Sequence, residues 1–245
     1  MPSLKKLTTK KGRDECGLFI IEGEKFVDEI PGDTKIVQYA VSESYSNTHD
    51  LSGLRKRARC EIVKDNVFSG ISSTVTTQGI LAVCEKKEWI LDDILSSDGF
   101  VLLCEEINDP GNLGTLIRTA TAAGASGIVL TSGSCEVYNP KVLRASAGAV
   151  LRLPIVFDVD VSEVMNKLDM PIYAAHPRGD ILPYNVNMKE KFCLLIGSES
   201  HGISKTAESF ATKLIKLPMT NETESLNASV AGCILMYEAV RQKII

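Results

Sequence analysis

The sequence is poor in aromatic residues, with one tryptophan and 6% Phe, Trp and Tyr in 245 residues. Its core must therefore be built from Leu, Ile, Val and Ala. It lacks any Cys-x-x-Cys pair. The seven cysteines (Cys16, Cys60, Cys84, Cys104, Cys135, Cys193 and Cys233) are scattered, and several lie in apolar runs such as Phe100–Cys104. That pattern excludes a zinc ribbon and a disulfide framework, and it reads as reduced, mostly buried thiols in a cytoplasmic protein with no metal. No apolar run approaches the ~20 residues of a membrane helix. The basic N-terminus has no apolar stretch behind it, so no secretory signal is expected. There is no basic excess: 27 Lys and Arg stand against 31 Asp and Glu, a net charge of -4. Bulk charge alone therefore does not advertise a nucleic-acid partner. Neither G-x-G-x-x-G nor G-x-x-x-x-G-K-[ST] occurs, which disfavours dinucleotide-binding and P-loop enzymes. Internal repeats and low-complexity tracts are absent.

The charge that is present is segregated. Lys5, Lys6, Lys10, Lys11 and Arg13 meet no acidic residue before Asp14, and Arg55, Lys56, Arg57 and Arg59 form a second group. Local patches govern phosphate contact more than net charge does, although a solvated surface run has the same appearance. Hydrophobic residues make up 44% of the chain, enough for one large domain or two modest ones.

Short β-rich runs alternate with helical patterns, the signature of an α/β protein. Strands are predicted at Leu18–Glu22, Ile36–Val41 and Ile80–Cys84, with helical segments near Glu24–Ile30 and Asp50–Arg59. The charged stretch Glu85–Asp98, with a short helix around Trp89–Leu95, is the best place for a domain boundary, dividing residues 1–92 from 93–245. Beyond it, Phe100–Cys104, Gly127–Thr131, Pro171–Ala175, Phe192–Ile196 and Leu214–Leu217 are near-continuous apolar runs. Such runs fit a parallel sheet covered on both faces. The last segment, Leu226–Lys243, is helical, with Leu226, Val230, Cys233, Ile234 and Tyr237 on one face.

Three segments carry chemistry, and each follows a predicted strand, where open α/β sheets bind ligands. The first is a Pro110-Gly111 turn leading into a helix that ends near Gly124. Leu113, Leu116, Ile117 and Ala120 form its buried stripe, and Arg118 points about 140° from Leu113, on the polar face. The second is Gly197-Ser198-Glu199-Ser200-His201-Gly202, where two glycines permit sharp turning and close backbone approach. The third runs from Leu217-Pro218 through the polar loop Thr220–Glu224 into the last helix. Ser225 is its expected N-cap. Asn227 then falls past the cap, where Asn is a poor helix former, so a role beyond capping is expected of it. Ala228, Ser229, Ala231 and Gly232 give the helix a small-residue surface.

Together and in this order, the three segments resemble the SpoU/TrmH family of SPOUT RNA 2′-O-ribose methyltransferases. The family pattern N-x-G-x-x-x-R-T-A is matched from Asn112 and Gly114 to Arg118-Thr119-Ala120. G-x-E-x-x-G is matched by Gly197, Glu199 and Gly202. P-M-x-G-x-x-x-S-L-N-x-S-x-A is matched by Pro218-Met219, Ser225-Leu226-Asn227, Ser229 and Ala231. Asn221 stands where the family has Gly, and Asn tolerates left-handed backbone best after Gly. Ala228 stands where Val is usual. Phe19–Ile30 and Thr76–Glu85 are similar to the family's substrate-binding domain, a small α/β RNA-binding fold resembling certain ribosomal proteins.

The resemblance implies a parallel-sheet α/β domain with a C-terminal trefoil knot, S-adenosylmethionine as methyl donor, structured RNA as substrate, ribosomal rather than transfer RNA, and a homodimer joined through the last helix. It implies Arg118, Asn112, Glu199, Ser225 and Asn227 as catalytic, and Ala175, Gly197, Leu217 and Leu226 around the donor. Lys5, Lys6, Lys10, Lys11 and Arg13 are expected to contact RNA. A guanidinium keeps its proton, so Arg118 is expected to grip a phosphate and support alkoxide charge rather than act as base. The phosphate or Glu199 is left to take the proton. The alternative is an RNA-binding assembly protein on the same fold that has lost catalysis.

Overall fold

The computed structural model describes residues 3–221 and 225–244. The chain divides into two compact units, one of Met1–Lys87 with Tyr138–Leu143, the other of Glu88–Val137 with Arg144–Ile245.

The first unit carries a four-stranded sheet built from β1 (Leu18–Glu22), β2 (Ile36–Ser42), β3 (Arg59–Val63) and β4 (Ile80–Glu85) in the order β1-β4-β2-β3. β4 pairs antiparallel with β1 and β2, while β3 joins β2 in parallel. The short helices α1 (Lys10–Cys16), α2 (Glu24–Asp28), α3 (Glu43–Ser46), α4 (Ser52–Arg57) and α5 (Asp65–Ser69) connect and flank the strands. Leu7, Phe68, Leu81 and Val83 are among the core residues. β3 escapes the sequence pattern because it is an edge strand whose Arg59 and Ile62 face outward. An apolar run never forms there.

A carboxylate organises the loop before β4. Glu22 Oε1 and Oε2 accept hydrogen bonds from the hydroxyls of Ser72, Ser73 (2.8 Å), Thr74 (2.9 Å) and Thr77 (3.2 Å), and from the Ser73 N–H (2.7 Å). Burial pushes the Glu22 pKa up, but these bonds to the charged form outweigh it, and the carboxyl sits below its ordinary value.

The second unit holds a six-stranded parallel sheet of β5 (Phe100–Cys104), β6 (Ala125–Thr131), β7 (Ile155–Val159), β8 (Ile172–Ala175), β9 (Cys193–Ile196) and β10 (Lys213–Ile215). The order is β10-β8-β9-β5-β6-β7. β5 and β9 are buried along their whole length, as continuous apolar runs require. β7, an edge strand with exposed Phe157 and Asp158, lacks such a run and goes unseen in the sequence. Burial drives the Cys193 thiol up to about 12 and raises the Cys104 thiol further, so both are inert core groups.

The helices met after the first five are α6 (Leu91–Leu95), α7 (Pro110–Ala122), α8 (Pro140–Ala145), α9 (Val161–Met165), α10 (Lys205–Phe210) and α11 (Ala228–Ile244). α11 packs on α7. Its small residues allow the approach: a Cβ on Gly232 would lie 2.6 Å from Leu116 Cδ2. The apolar face read from the sequence points the other way. Ser229, Gly232, Leu235, Met236 and Ala239 are buried, whereas Val230, Ile234 and Tyr237 are 44%, 44% and 54% exposed.

Candidate active site

Strand order reverses at β5. From there the chain runs outward through β6 and β7, then crosses to β8 and β9 on the other side. Loops leaving neighbouring strands at such a reversal diverge and open a crevice at the carboxyl ends. The β5 loop supplies Asn112, and the β9 loop supplies Glu199.

Each loop is held from below. After β5, Asp109 caps α7: its Oδ1 accepts the Asn112 N–H at 2.8 Å, and Pro110 occupies the first turn, where no N–H is needed. After β9, Ser198 and Gly202 exchange backbone hydrogen bonds of 3.1 and 2.9 Å, closing a hairpin around Glu199, Ser200 and His201. A Cβ on Gly197 would sit 2.3 Å from Gly202 C and Ile203 N, so no side chain fits there. Buried Glu105 fixes the far end of the hairpin by accepting the Ser204 N–H at 2.8 Å.

The two loops meet α11 in a polar cluster. Asn112 Nδ2 donates to Glu199 Oε1 at 2.6 Å, and Asn227 Nδ2 donates to Asn112 Oδ1 at 3.1 Å. The Ser229 hydroxyl lies 3.0 Å from Asn112 Oδ1 and 2.7 Å from Asn227 Oδ1, sharing one proton between them. Asn227 Oδ1 also accepts the N–H groups of Ser229 (2.9 Å) and Val230 (3.3 Å). Asn227 is therefore the N-cap of α11, a correction to the expectation that Ser225 would be. Its amide needs both ends: the oxygen caps the helix, and the nitrogen reaches Asn112. The other oxygen of Glu199 makes no hydrogen bond among the described residues.

A cavity of about 660 Å³ adjoins the cluster, within the usual range for small-molecule pockets. Ala175, Gly197, Leu217 and Leu226 all line it, with Ser225, Asn227 and Glu199. Ile196, Ile215 and Met219 add apolar wall. This lining suits S-adenosylmethionine, because flat apolar surface from Ile196, Ile215, Leu217 and Leu226 can sandwich a purine, while the main chain of the Gly197 and Leu217 segments is placed to meet its edges. Residues 222–224 of the expected Thr220–Glu224 loop lie outside the described residues.

Arg118 stands apart from this network. It is exposed on α7, makes no hydrogen bond or ion pair among the described residues, and does not line the cavity. Ser229, absent from the expected catalytic set, belongs to the cluster. Its place two residues beyond Asn227 on one helical turn was the available signal. His176 and Arg178, also on the cavity wall, follow β8 in a segment that no motif singled out.

Among the basic residues, Lys5, Lys10 and Lys11 are exposed, Lys6 pairs with Glu15 at 2.8 Å, and Lys11 lies 3.9 Å from the same carboxylate. Arg13 departs from expectation. It is 4% exposed and donates to the Leu7 C=O at 3.0 Å, bracing the N-terminal segment instead of facing solvent.

Residues 99–237 match the SpoU rRNA Methylase family. The chain belongs to that family. Residues 2–82 match the MRM3-like substrate binding domain. Among curated relatives of this SpoU protein is the 23S rRNA (guanosine(2553)-2′-O)-methyltransferase RlmP of Bacillus subtilis, 33% identical over 95% of this chain and 92% of that one. Among solved structures, the AdoMet-bound rRNA methyltransferase of Sinorhizobium meliloti superposes with a TM-score of 0.86 at 28% identity, covering 97% of this chain and 92% of that one. AviRb of Streptomyces viridochromogenes, solved with AdoMet, reaches 0.87 at 24% identity over 98% and 96% of the two chains and shares the fold. Among the described residues, no helix is long and apolar enough to cross a membrane, and no group of three His, Cys, Asp or Glu is placed to hold a metal ion.

Proposed function

We propose that this SpoU protein transfers the methyl group of S-adenosylmethionine to a ribose 2′-hydroxyl of ribosomal RNA, in the cytoplasm. The observation that carries this reading is the Glu199–Asn112–Asn227–Ser229 cluster beside the cavity, built from three chain segments that share no local structure. The relatives' activities on 23S rRNA agree with it.

When bound, S-adenosylmethionine supplies an electrophilic methyl on a sulfonium. The chain must then orient a weakly acidic hydroxyl and manage its proton. Asn112 holds one Glu199 oxygen and leaves the other to accept a hydrogen bond or a proton. Asn227 and Ser229 fix the Asn112 amide so that its NH₂ faces Glu199. Ser225 and Asn227, on the cavity wall, position the ribose. Arg118 grips the adjoining phosphate bidentately and stabilises negative charge on the oxygen as its proton leaves, by way of that phosphate or Glu199. A guanidinium left uncommitted suits that work, since no partner among the described residues competes for it.

The C-terminal segment is proposed to thread a trefoil knot. In support, β10 forms the sheet edge beside β8, yet the chain returns past β9 to lay α11 on α7. The protein is further proposed to act as a homodimer through the exposed stripe Val230, Ile234 and Tyr237, rather than through the small-residue face, which α7 already covers. Residues 1–92 are proposed to dock the RNA, with Lys5, Lys6, Lys10 and Lys11 supplying phosphate contacts.

Calorimetry with S-adenosylmethionine, NAD and ATP tests the reading. Saturable binding of the first alone is expected. Binding of NAD or ATP in its place would point to an ordinary nucleotide enzyme.

A further inference from the structure

Glu199 is held inside the polar cluster at one end of the cavity. The cavity's cations, Arg178 and Lys216, lie elsewhere and make no ion pair among the described residues. Both belong to the β8–β10 side. Ala175 and Ile215 are register partners in these parallel strands, so His176 and Lys216 leave the sheet side by side, with Arg178 two residues further on.

The segment carrying His176 and Arg178 is built rather than loose. The His176 N–H donates to the Ile215 C=O at 2.9 Å, and the Gly179 N–H donates to the His176 C=O at 3.0 Å. A Cβ on Gly179 would meet the Leu214 C=O oxygen at 2.6 Å, so only glycine lets the turn press this closely on β10. The Arg178 N–H donates to His176 Nδ1 at 3.1 Å. That bond decides the tautomer: with Nδ1 accepting, the neutral ring carries its proton on Nε2 and offers it as a donor on the cavity wall.

The outcome is a cavity with two chemically different ends. One presents a carboxylate within an amide and hydroxyl network. The other presents a guanidinium, an ammonium and an imidazole on the segments that leave β8 and β10, the first and second strands beyond β9. A sulfonium is repelled by the second and tolerated by the first. A carboxylate is attracted to the second.

Building on the reading above, we propose that Arg178, with His176 and Lys216, forms the site for the carboxylate of the donor's amino-acid tail. The site fixes the donor's direction in the cavity, so that sulfur and methyl lie toward Glu199. Arg178 acts by binding and orientation and takes no part in bond breaking.

Two ligands isolate the tail. S-adenosylhomocysteine carries it, whereas 5′-methylthioadenosine has the same nucleoside and sulfur without it. Both are titrated calorimetrically against the wild-type protein, Arg178→Ala and Arg178→Lys, and RNA affinity is measured on the same proteins. The expected result is a loss of about tenfold or more for S-adenosylhomocysteine in Arg178→Ala. 5′-Methylthioadenosine is expected to change less than twofold, Arg178→Lys to recover part of the loss, and RNA affinity to hold. Equal losses for both ligands, or no loss for either, overturn the proposal while leaving the donor site intact. Loss confined to RNA also overturns it and assigns the cations to a phosphate. If the wild-type protein binds neither ligand, the reading of the cavity falls with it.

Discussion

Asn112 and Glu199 are 87 residues apart in the chain, yet the amide nitrogen of one lies 2.6 Å from the carboxylate of the other. They leave adjacent parallel strands at the point where strand order reverses. Nothing local to either loop requires the contact, so its energetic purpose is the pairing itself. Glu199 receives a donor, and the Asn112 amide is fixed by Asn227 and Ser229 on its other side.

Asn227→Asp separates capping from catalysis. Asp caps as well as Asn does, so the stability of α11 should change by less than about 0.5 kcal/mol. The donor to Asn112 is lost, and a second carboxylate enters the cluster. Methyl transfer should fall about a hundredfold or more, with α11 still capped and the protein still folded at the assay temperature. Denaturant titration alongside initial rates measures both.

Arg118→Lys keeps the charge and removes the planar fork. RNA affinity should stay within a few-fold, while turnover at saturating RNA and donor drops by roughly a hundredfold. Near-normal turnover with intact RNA binding would show that bidentate phosphate gripping is the wrong picture.

Glu22 ties stability to pH. Its folded pKa is depressed, so its stabilisation is complete above the ordinary carboxylate value of about 4.3 and is lost as pH falls through the lower folded value. Glu22→Gln should destabilise the first unit by about 1–3 kcal/mol at neutral pH. It should also flatten the acid limb of the stability curve. Urea melts between pH 3 and pH 7, followed by a probe in the first unit, test this; parallel acid limbs for the two proteins would argue against it.

The exposed face of α11 predicts an assembly. Ile234→Asp places a charge in the middle of the exposed Val230, Ile234 and Tyr237 stripe. Light scattering should show a dimer for the wild type and a monomer for the variant at micromolar concentration. A wild-type monomer removes that part of the proposal.

RNA affinity should fall steeply as salt rises, since phosphate contacts release counterions. Replacing Lys5 and Lys10 by Ala should reduce the slope of log affinity against log salt by roughly 1–2. Arg13→Ala should instead lower stability, because its guanidinium is committed to the Leu7 carbonyl.

How far the sequence could be read follows the physics of burial. β5 and β9 are buried on both faces, and their apolar runs announce them. β3 and β7 sit at sheet edges, where outward-facing Arg59 and Asp158 interrupt any run, and they stay hidden. The amphipathicity of α11 misleads because its inward face is made of small residues rather than large apolar ones. The motifs bring Asn112, Glu199 and Asn227 into view, but a linear spacing carries no information about which of them touch. The N-cap falls at Asn227 instead of Ser225 for a reason visible only in three dimensions: the Asn112 acceptor across the gap fixes the amide there. His176 and Arg178 stay silent because their significance comes from β10, not from their neighbours in sequence.

Transfer of a tritium-labelled methyl from S-adenosylmethionine to total RNA from cells lacking the gene, followed by alkaline hydrolysis, tests whether these loops form one site for ribose methylation. A methylated 2′-hydroxyl blocks cleavage at its own position. Label is expected in alkali-resistant dinucleotides from ribosomal RNA, and Asn112→Ala is expected to abolish it. Label released entirely as mononucleotides, or no incorporation by the folded wild-type protein, would contradict ribose methylation at this site.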